Sequence, residues 1–133
     1  MNAIQGHICD IQISTNLAVV SVQIKEDIVW KILIAETPDT ASYLRIDNMI
    51  KLLFKETEVV ITTNKQQAIS IENGIEGVIS DIEKGLLLSK LTINTKAGNV
   101  ISILATEAVD RLMLEKHQEI IAMVQMNEIM VSI

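Results

Sequence analysis

Apolar residues recur at every second position through much of this chain. Val20, Val22 and Ile24 alternate with Ser21, Gln23 and Lys25; Ile28, Trp30, Ile32 and Ile34 alternate with Val29, Lys31 and Leu33. Leu87, Ser89, Leu91 and Ile93 do the same against Leu88, Lys90, Thr92 and Asn94. A period of two, rich in β-branched residues, predicts strands, because successive side chains of an extended chain point to opposite faces. Lys96-Ala97-Gly98-Asn99 predicts a hairpin turn with Gly98 at positive φ, and Glu26-Asp27 takes its place earlier in the chain. The stretches 50–61 and 120–133 each read as two more strands. They are entered through turns at Asp47-Asn48 and His117, residue types that tolerate left-handed backbone. Short helices are predicted near 38–43, with Thr37 as cap and Pro38 in the first turn, and over 107–114.

The pattern occurs twice. A shift of 71 lays Asn2 on Asn73, Ile4 on Ile75, Gly6 on Gly77 and Ile8 on Ile79, and it continues through Ile32 and Ile103 to Glu36 and Glu107. A shift of 70 then matches Leu44 with Leu114, Ile50 with Ile120 and Glu58 with Glu128. Two tandem units follow, 1–63 and 69–133, joined by a polar linker at 64–68. Five short strands and one helical turn per unit predict an all-β fold with one short helix per repeat: two tandem OB-like β-barrels, a shape that removes exposed edges.

Composition narrows the function. Of the 133 residues 49 % are apolar and 2 % aromatic. A unit of this size alone buries only about 60 % of its surface, so further burial between subunits, and hence an oligomer, is expected. The net charge of −6 argues against a nucleic-acid binder and against docking on an anionic membrane. Single-strand binding would also need more than one Phe, one Tyr and one Trp for stacking. A small anion site stays possible, since backbone N–H groups and hydroxyls hold an oxyanion without net charge. Cys9 is the single cysteine, which points to a reducing compartment. The chain start has neither the basic nor the apolar region of a signal peptide, and no run approaches the ~18 apolar residues of a membrane span. A cytoplasmic location is expected.

Several segments together resemble the molybdate-binding Mop (molbindin, TOBE-like) family in its tandem-repeat form. They are Asn73-Gly74-Ile75-Glu76-Gly77-Val78-Ile79 with Ile82-Glu83-Lys84-Gly85, then 105–114, and the closing segments Phe54-Lys55-Glu56-Thr57-Glu58-Val59 and Val124-Gln125-Met126-Asn127-Glu128-Ile129. The chain is also similar to the C-terminal domain of the molybdate-responsive transcription regulator, without any helix-turn-helix. The resemblance implies two Mop repeats that bind molybdate or tungstate as the only bound group, in a cytoplasmic homo-oligomer (dimer or trimer) with sites at subunit interfaces. It also implies a role in storage, homeostasis or sensing. An anion-independent interaction module, with a molybdate transporter or regulator as partner, is the alternative.

A tetrahedral dianion accepts hydrogen bonds and donates none, so its site needs donors only. Carried onto this sequence, the family pattern puts Lys55 and the Glu56 backbone at the closing strand, Thr37 and Thr106 near the helices, and Ser70 and Asn73 at the second opening. The family's opening arginine is Met1 in the first copy and Glu72 in the second, and Gln125 replaces the closing lysine. Each residue also has a plainer role: Lys55 a solvated lysine, Thr37 a helix cap, Ser70 linker, Asn2 and Asn73 fixing the entry turn. His7, Cys9 and His117 lack a fourth ligand and paired spacing, so no metal is expected. Met113, Met123, Met126 and Met130 read as apolar filler. No nucleophile–base set or phosphate loop is visible, and no enzyme is expected.

Overall fold

The computed structural model describes residues 1–65 and 68–133. β1 (Asn2–Ser14) turns back into β2 (Leu17–Lys25), which turns into β3 (Ile28–Ile34). β4 (Met49–Phe54) lies on the other side of β1 and is followed by a 3₁₀ turn, Glu56–Glu58, and β5 (Val60–Thr62). The second half runs β6 (Asn73–Lys84), β7 (Leu88–Thr95), β8 (Gly98–Ala105), α1 (Thr106–Arg111) and β9 (Glu119–Val124). A second 3₁₀ turn, Met126–Glu128, and β10 (Met130–Ser132) close it. The expected strands are present. The expected left-handed positions are Gly98 (φ 100), Asp47 (φ 71) and His117 (φ 74).

The two curled sheets do not coincide with the two halves of the sequence. Their orders are β10-β4-β1-β2-β3 and β5-β9-β6-β7-β8, so each sheet takes one edge strand from the other half. Met130 and Val131 pair with Leu53 and Leu52, while Val60 and Ile61 pair with Met123 and Ala122. The two units are therefore tied together through their last strands. The linker expected at 64–68 falls partly on Gln66 and Gln67, which lie outside the described residues.

Two expectations are corrected. There is no helix at 38–43, only turns, and among the described residues the single α-helix is α1, shorter than expected. The segment makes one turn and stops. The Thr37 carbonyl takes both the Thr40 and Ala41 N–H groups, and Thr40 Oγ1 accepts the Thr37 N–H (3.0 Å), a bond typical of a helix start. The pattern then breaks: the next backbone bonds run from the Leu44 N–H to the Ala41 carbonyl and from the Arg45 N–H to the Tyr43 carbonyl, so no helix propagates. Among the described residues the Thr37 hydroxyl makes no capping bond.

The shift of 71 also ends earlier than the letters imply. Val22 pairs with Trp30 and Ile93 with Val100, so β3 and β8 correspond at a shift of 70 and Ile32 matches Ser102. The extra residue of the first half sits at the irregularity between Gln23 and Lys25. A β-bulge absorbs it without turning the apolar face outward.

One apolar cluster spans both sheets, with Trp30 against Phe54 at 5.6 Å between ring centroids and 50° between planes. Where β1 and β6 pass closest to their neighbours the chain uses glycine. A Cβ at Gly6 would lie 2.6 Å from the Gln23 carbonyl oxygen, and one at Gly77 2.6 Å from Ile93 Cγ2.

The sheets are stitched by side chains that mimic strand pairing. Asn2 donates to the Ile101 carbonyl and accepts its N–H, both at 2.8 Å. Asn73 does the same with Lys31 on β3, at 2.8 and 2.7 Å. Trp30 Nε1 donates to the Gly74 carbonyl (3.1 Å), and Ser102 Oγ to the Val59 carbonyl (3.0 Å). The two asparagines occupy backbone groups of the edge strands β3 and β8, so each sheet caps the other's open edge at that point.

Candidate functional site

The closing segment Phe54-Lys55-Glu56-Thr57 leaves β4 and bends into the first 3₁₀ turn, beside the start of β1. Lys55 holds the extended entry position of that turn (φ −73, ψ 149), and its carbonyl accepts the Glu58 N–H at 3.0 Å. Its side chain is exposed and, among the described residues, forms no salt bridge. A free ammonium on a rigid turn suits an anion.

Glu56 works against it. Its carboxylate accepts from the Met1 ammonium at 2.6 Å. That bond first, then the carboxylate's bond with the Glu56 backbone N–H, and a contribution from nearby Lys90, hold its carboxyl below the usual range. The carboxylate is thus ionised at neutral pH, and the backbone N–H expected to serve an anion faces it.

The counterpart at the second 3₁₀ turn has the same backbone and different chemistry. Gln125 (φ −68, ψ 143) stands where Lys55 does, and its carbonyl likewise accepts the Glu128 N–H at 3.0 Å. Met126 replaces Glu56, Glu72 replaces Met1, and Val19 occupies the place of Lys90. Lys31, bonded to Asn73 through its backbone, stands on β3, the strand that packs against that turn.

The other expected site residues divide between the two ends. Lys55 and Glu56 sit on the turn that packs against β8. Ser70, exposed just before β6, and Asn73, on β6, belong to the β3 side. Asn73 is 1 % exposed with its amide bonded to Lys31, and Thr37 lies beyond the end of β3. Thr106 is buried; its hydroxyl donates to the Gly85 carbonyl (2.9 Å) and so accepts from Ser89 Oγ (2.8 Å). Within one chain, then, Lys55 is not brought together with Thr37 and Ser70. Sequence reasoning missed the Met1 amine and Lys90; no local pattern marks either one.

No protein-family model and no curated protein matches this chain. Solved structures do. The cytoplasmic molybdate-binding protein ModG, in a crystal form with molybdate bound, matches with a TM-score of 0.88 over 99 % of this chain and 95 % of that one. The chain has the ModG fold. Sequence identity to ModG is 18 %, so the likeness is one of architecture. A molybdate-binding protein from Sporomusa ovata matches 44 % of this chain and 88 % of its own, at 24 % identity and a TM-score of 0.43. No helix among the described residues is long and apolar enough to cross a membrane.

Proposed function

We propose that this chain is a cytoplasmic binder of molybdate or tungstate, serving molybdenum storage, homeostasis or sensing, and not an enzyme. The observation that carries the reading is the near-complete overlap of its fold with ModG, a protein solved with molybdate bound. In this reading the two Mop repeats of the resemblance supply the anion-binding ends, and the first 3₁₀ turn is the better one, because Lys55 is unpaired there while Gln125 and Glu72 stand at its counterpart. Thr37, Ser70 and Asn73 belong to the β3 side, apart from Lys55 within one chain, so a site that uses them is completed across a contact between copies. A homo-oligomer, dimer or trimer, is part of the proposal.

Titration calorimetry with molybdate, tungstate and sulfate tests it: heat is expected from the first two, and silence from all three ends the reading. Lys55→Ala is expected to weaken molybdate binding at least tenfold at an unchanged melting temperature, since it removes one charge-assisted bond from an exposed position. Unchanged affinity would place the anion elsewhere. Glu56→Ala is expected to tighten binding several-fold, because it removes an ionised carboxylate beside the anion. Weaker binding in that variant would mean that the glutamate holds the turn in its working shape.

The acids at both ends, Glu56 and Glu72, favour a second reading: an anion-independent interaction module whose partner is a molybdate transporter or regulator. A pull-down in which the same partner is retained with and without molybdate supports that alternative.

A further inference from the structure

Asn73 is followed by Gly74, the only Asn-Gly pair in the chain. Such a pair is chemically labile. The backbone nitrogen of the glycine attacks the side-chain carbonyl carbon of the asparagine, a new C–N bond forms, and the side-chain nitrogen leaves as ammonia. Water then opens the five-membered imide at either carbonyl, giving aspartate or its β-linked isomer. Glycine favours the ring closure because it has no Cβ to crowd the attacking nitrogen and leaves the backbone free to turn. This chemistry is one reason asparagine counts among the thermolabile residues.

The folded chain withholds the reaction. Asn73 is 1 % exposed. Its Nδ2 donates to the Lys31 carbonyl (2.8 Å) and its Oδ1 accepts the Lys31 N–H (2.7 Å), so the group under attack is held from both sides. The Gly74 carbonyl accepts Trp30 Nε1 (3.1 Å), and the pair stands in β6 opposite Val124 and Met123 of β9. Ring closure requires Asn73 to leave extended geometry, which breaks this pairing. The counterpart in the first sheet makes the same side-chain bonds, to Ile101, but has Ala3 after Asn2. Gly74 is not left-handed, and a Cβ on it would meet nothing nearer than Ile121 Cγ2 at 3.3 Å, which a small shift of that side chain relieves. The seam therefore works without glycine, and the labile pair belongs to the second copy alone.

We propose that Asn73-Gly74 is a site of spontaneous covalent modification, reached only when the seam between β3 and β6 opens, and that its product keeps the seam from closing again. Both products lack the Nδ2 donor and, once ionised, turn a carboxylate toward the Lys31 carbonyl. The β-linked isomer also adds a methylene to the backbone and shifts the pairing of β6. A chain that opens here is marked, and one that stays closed is spared. The rate follows the fraction of time the seam spends open. Nothing in this depends on the anion reading.

The test incubates the full chain warm at mildly alkaline pH, folded in buffer and unfolded in urea, and locates the exchange of ammonia for water at Asn73 by peptide mapping with mass spectrometry. The unfolded chain is expected to convert within days, and the folded chain at least a hundredfold more slowly. Urea kept below the unfolding transition, or Trp30→Phe, which deletes the bond to the Gly74 carbonyl, is expected to raise the folded rate at least fivefold. Gly74→Ala is expected to slow conversion at least tenfold even in urea and to leave the circular dichroism of the folded chain unchanged. Modified chain, made in urea, separated by ion exchange and returned to buffer, is expected to melt below the parent, with Trp30 fluorescence shifted toward that of exposed indole. Four results would each overturn the proposal: equal rates folded and unfolded, a folded rate indifferent to both urea and Trp30→Phe, a Gly74→Ala chain that converts like the parent, or modified chain that melts with the parent.

Discussion

Trp30→Ala is expected to cost about 4 kcal/mol and to lower the melting temperature by roughly 15 °C. Trp30 is 1 % exposed, fills the first sheet against Phe54, and its Nε1–H reaches across to the Gly74 carbonyl on β6. Truncation leaves a large cavity and an unpaired carbonyl at the same point. Trp30→Phe separates the two effects: most of the ring volume stays while the donor goes, and a loss of about 1–2 kcal/mol is expected. Urea denaturation of both variants reads the split. If the phenylalanine variant were as unstable as the alanine variant, the bond across the seam and not the buried volume would dominate.

Asn73→Ala comes next, at about 3 kcal/mol. The amide satisfies both the N–H and the carbonyl of Lys31 in a buried setting, and an alanine strands both groups away from water. Asn73→Asp is no remedy at neutral pH, because an ionised carboxylate only accepts and faces the Lys31 carbonyl. Burial raises the pKa of that aspartate above its unfolded value. The variant therefore gains stability as pH falls through the folded pKa and protonation restores a donor. Asn2→Ala makes the same deletion near the chain start, where the strand end frays more readily, and a smaller loss is expected. Equal losses at Asn2 and Asn73 would show that the seam is equally firm at both ends.

Much of the local structure is readable from the residues themselves. Alternation marks β2, β3 and β7, and residue types that accept positive φ mark the turns at Asp47, Gly98 and His117, because both signals depend only on neighbouring atoms. The extra residue near Ile24 escapes notice because Val29-Trp30 and Leu33-Ile34 are apolar pairs, so Val100 and Leu104 find an apolar match at either shift, and the bulge keeps the face unchanged. The missing first helix is a single turn closed on the Thr37 carbonyl that does not propagate, and whether one turn continues depends on packing that a string of letters does not record. At the candidate site, Lys55 and the substitutions at Met1, Glu72 and Gln125 are legible as residue types through the resemblance. The ion pair between Met1 and Glu56 joins residues at opposite ends of the first half, so nothing local announces it.

The sequence by itself determined that this chain makes strands twice over in the same order, which faces of those strands are apolar, and which donor and acid types stand at each closing turn. Only the tertiary structure decided that β5 and β10 change places, that Asn2 and Asn73 cap the opposite sheet, and that Lys55 lies apart from Thr37 and Ser70. The reason is physical. Alternation specifies the face a strand buries, whereas the N–H and carbonyl groups along its edge are the same for every strand, so the choice of neighbour falls to chain connectivity and to packing between the sheets.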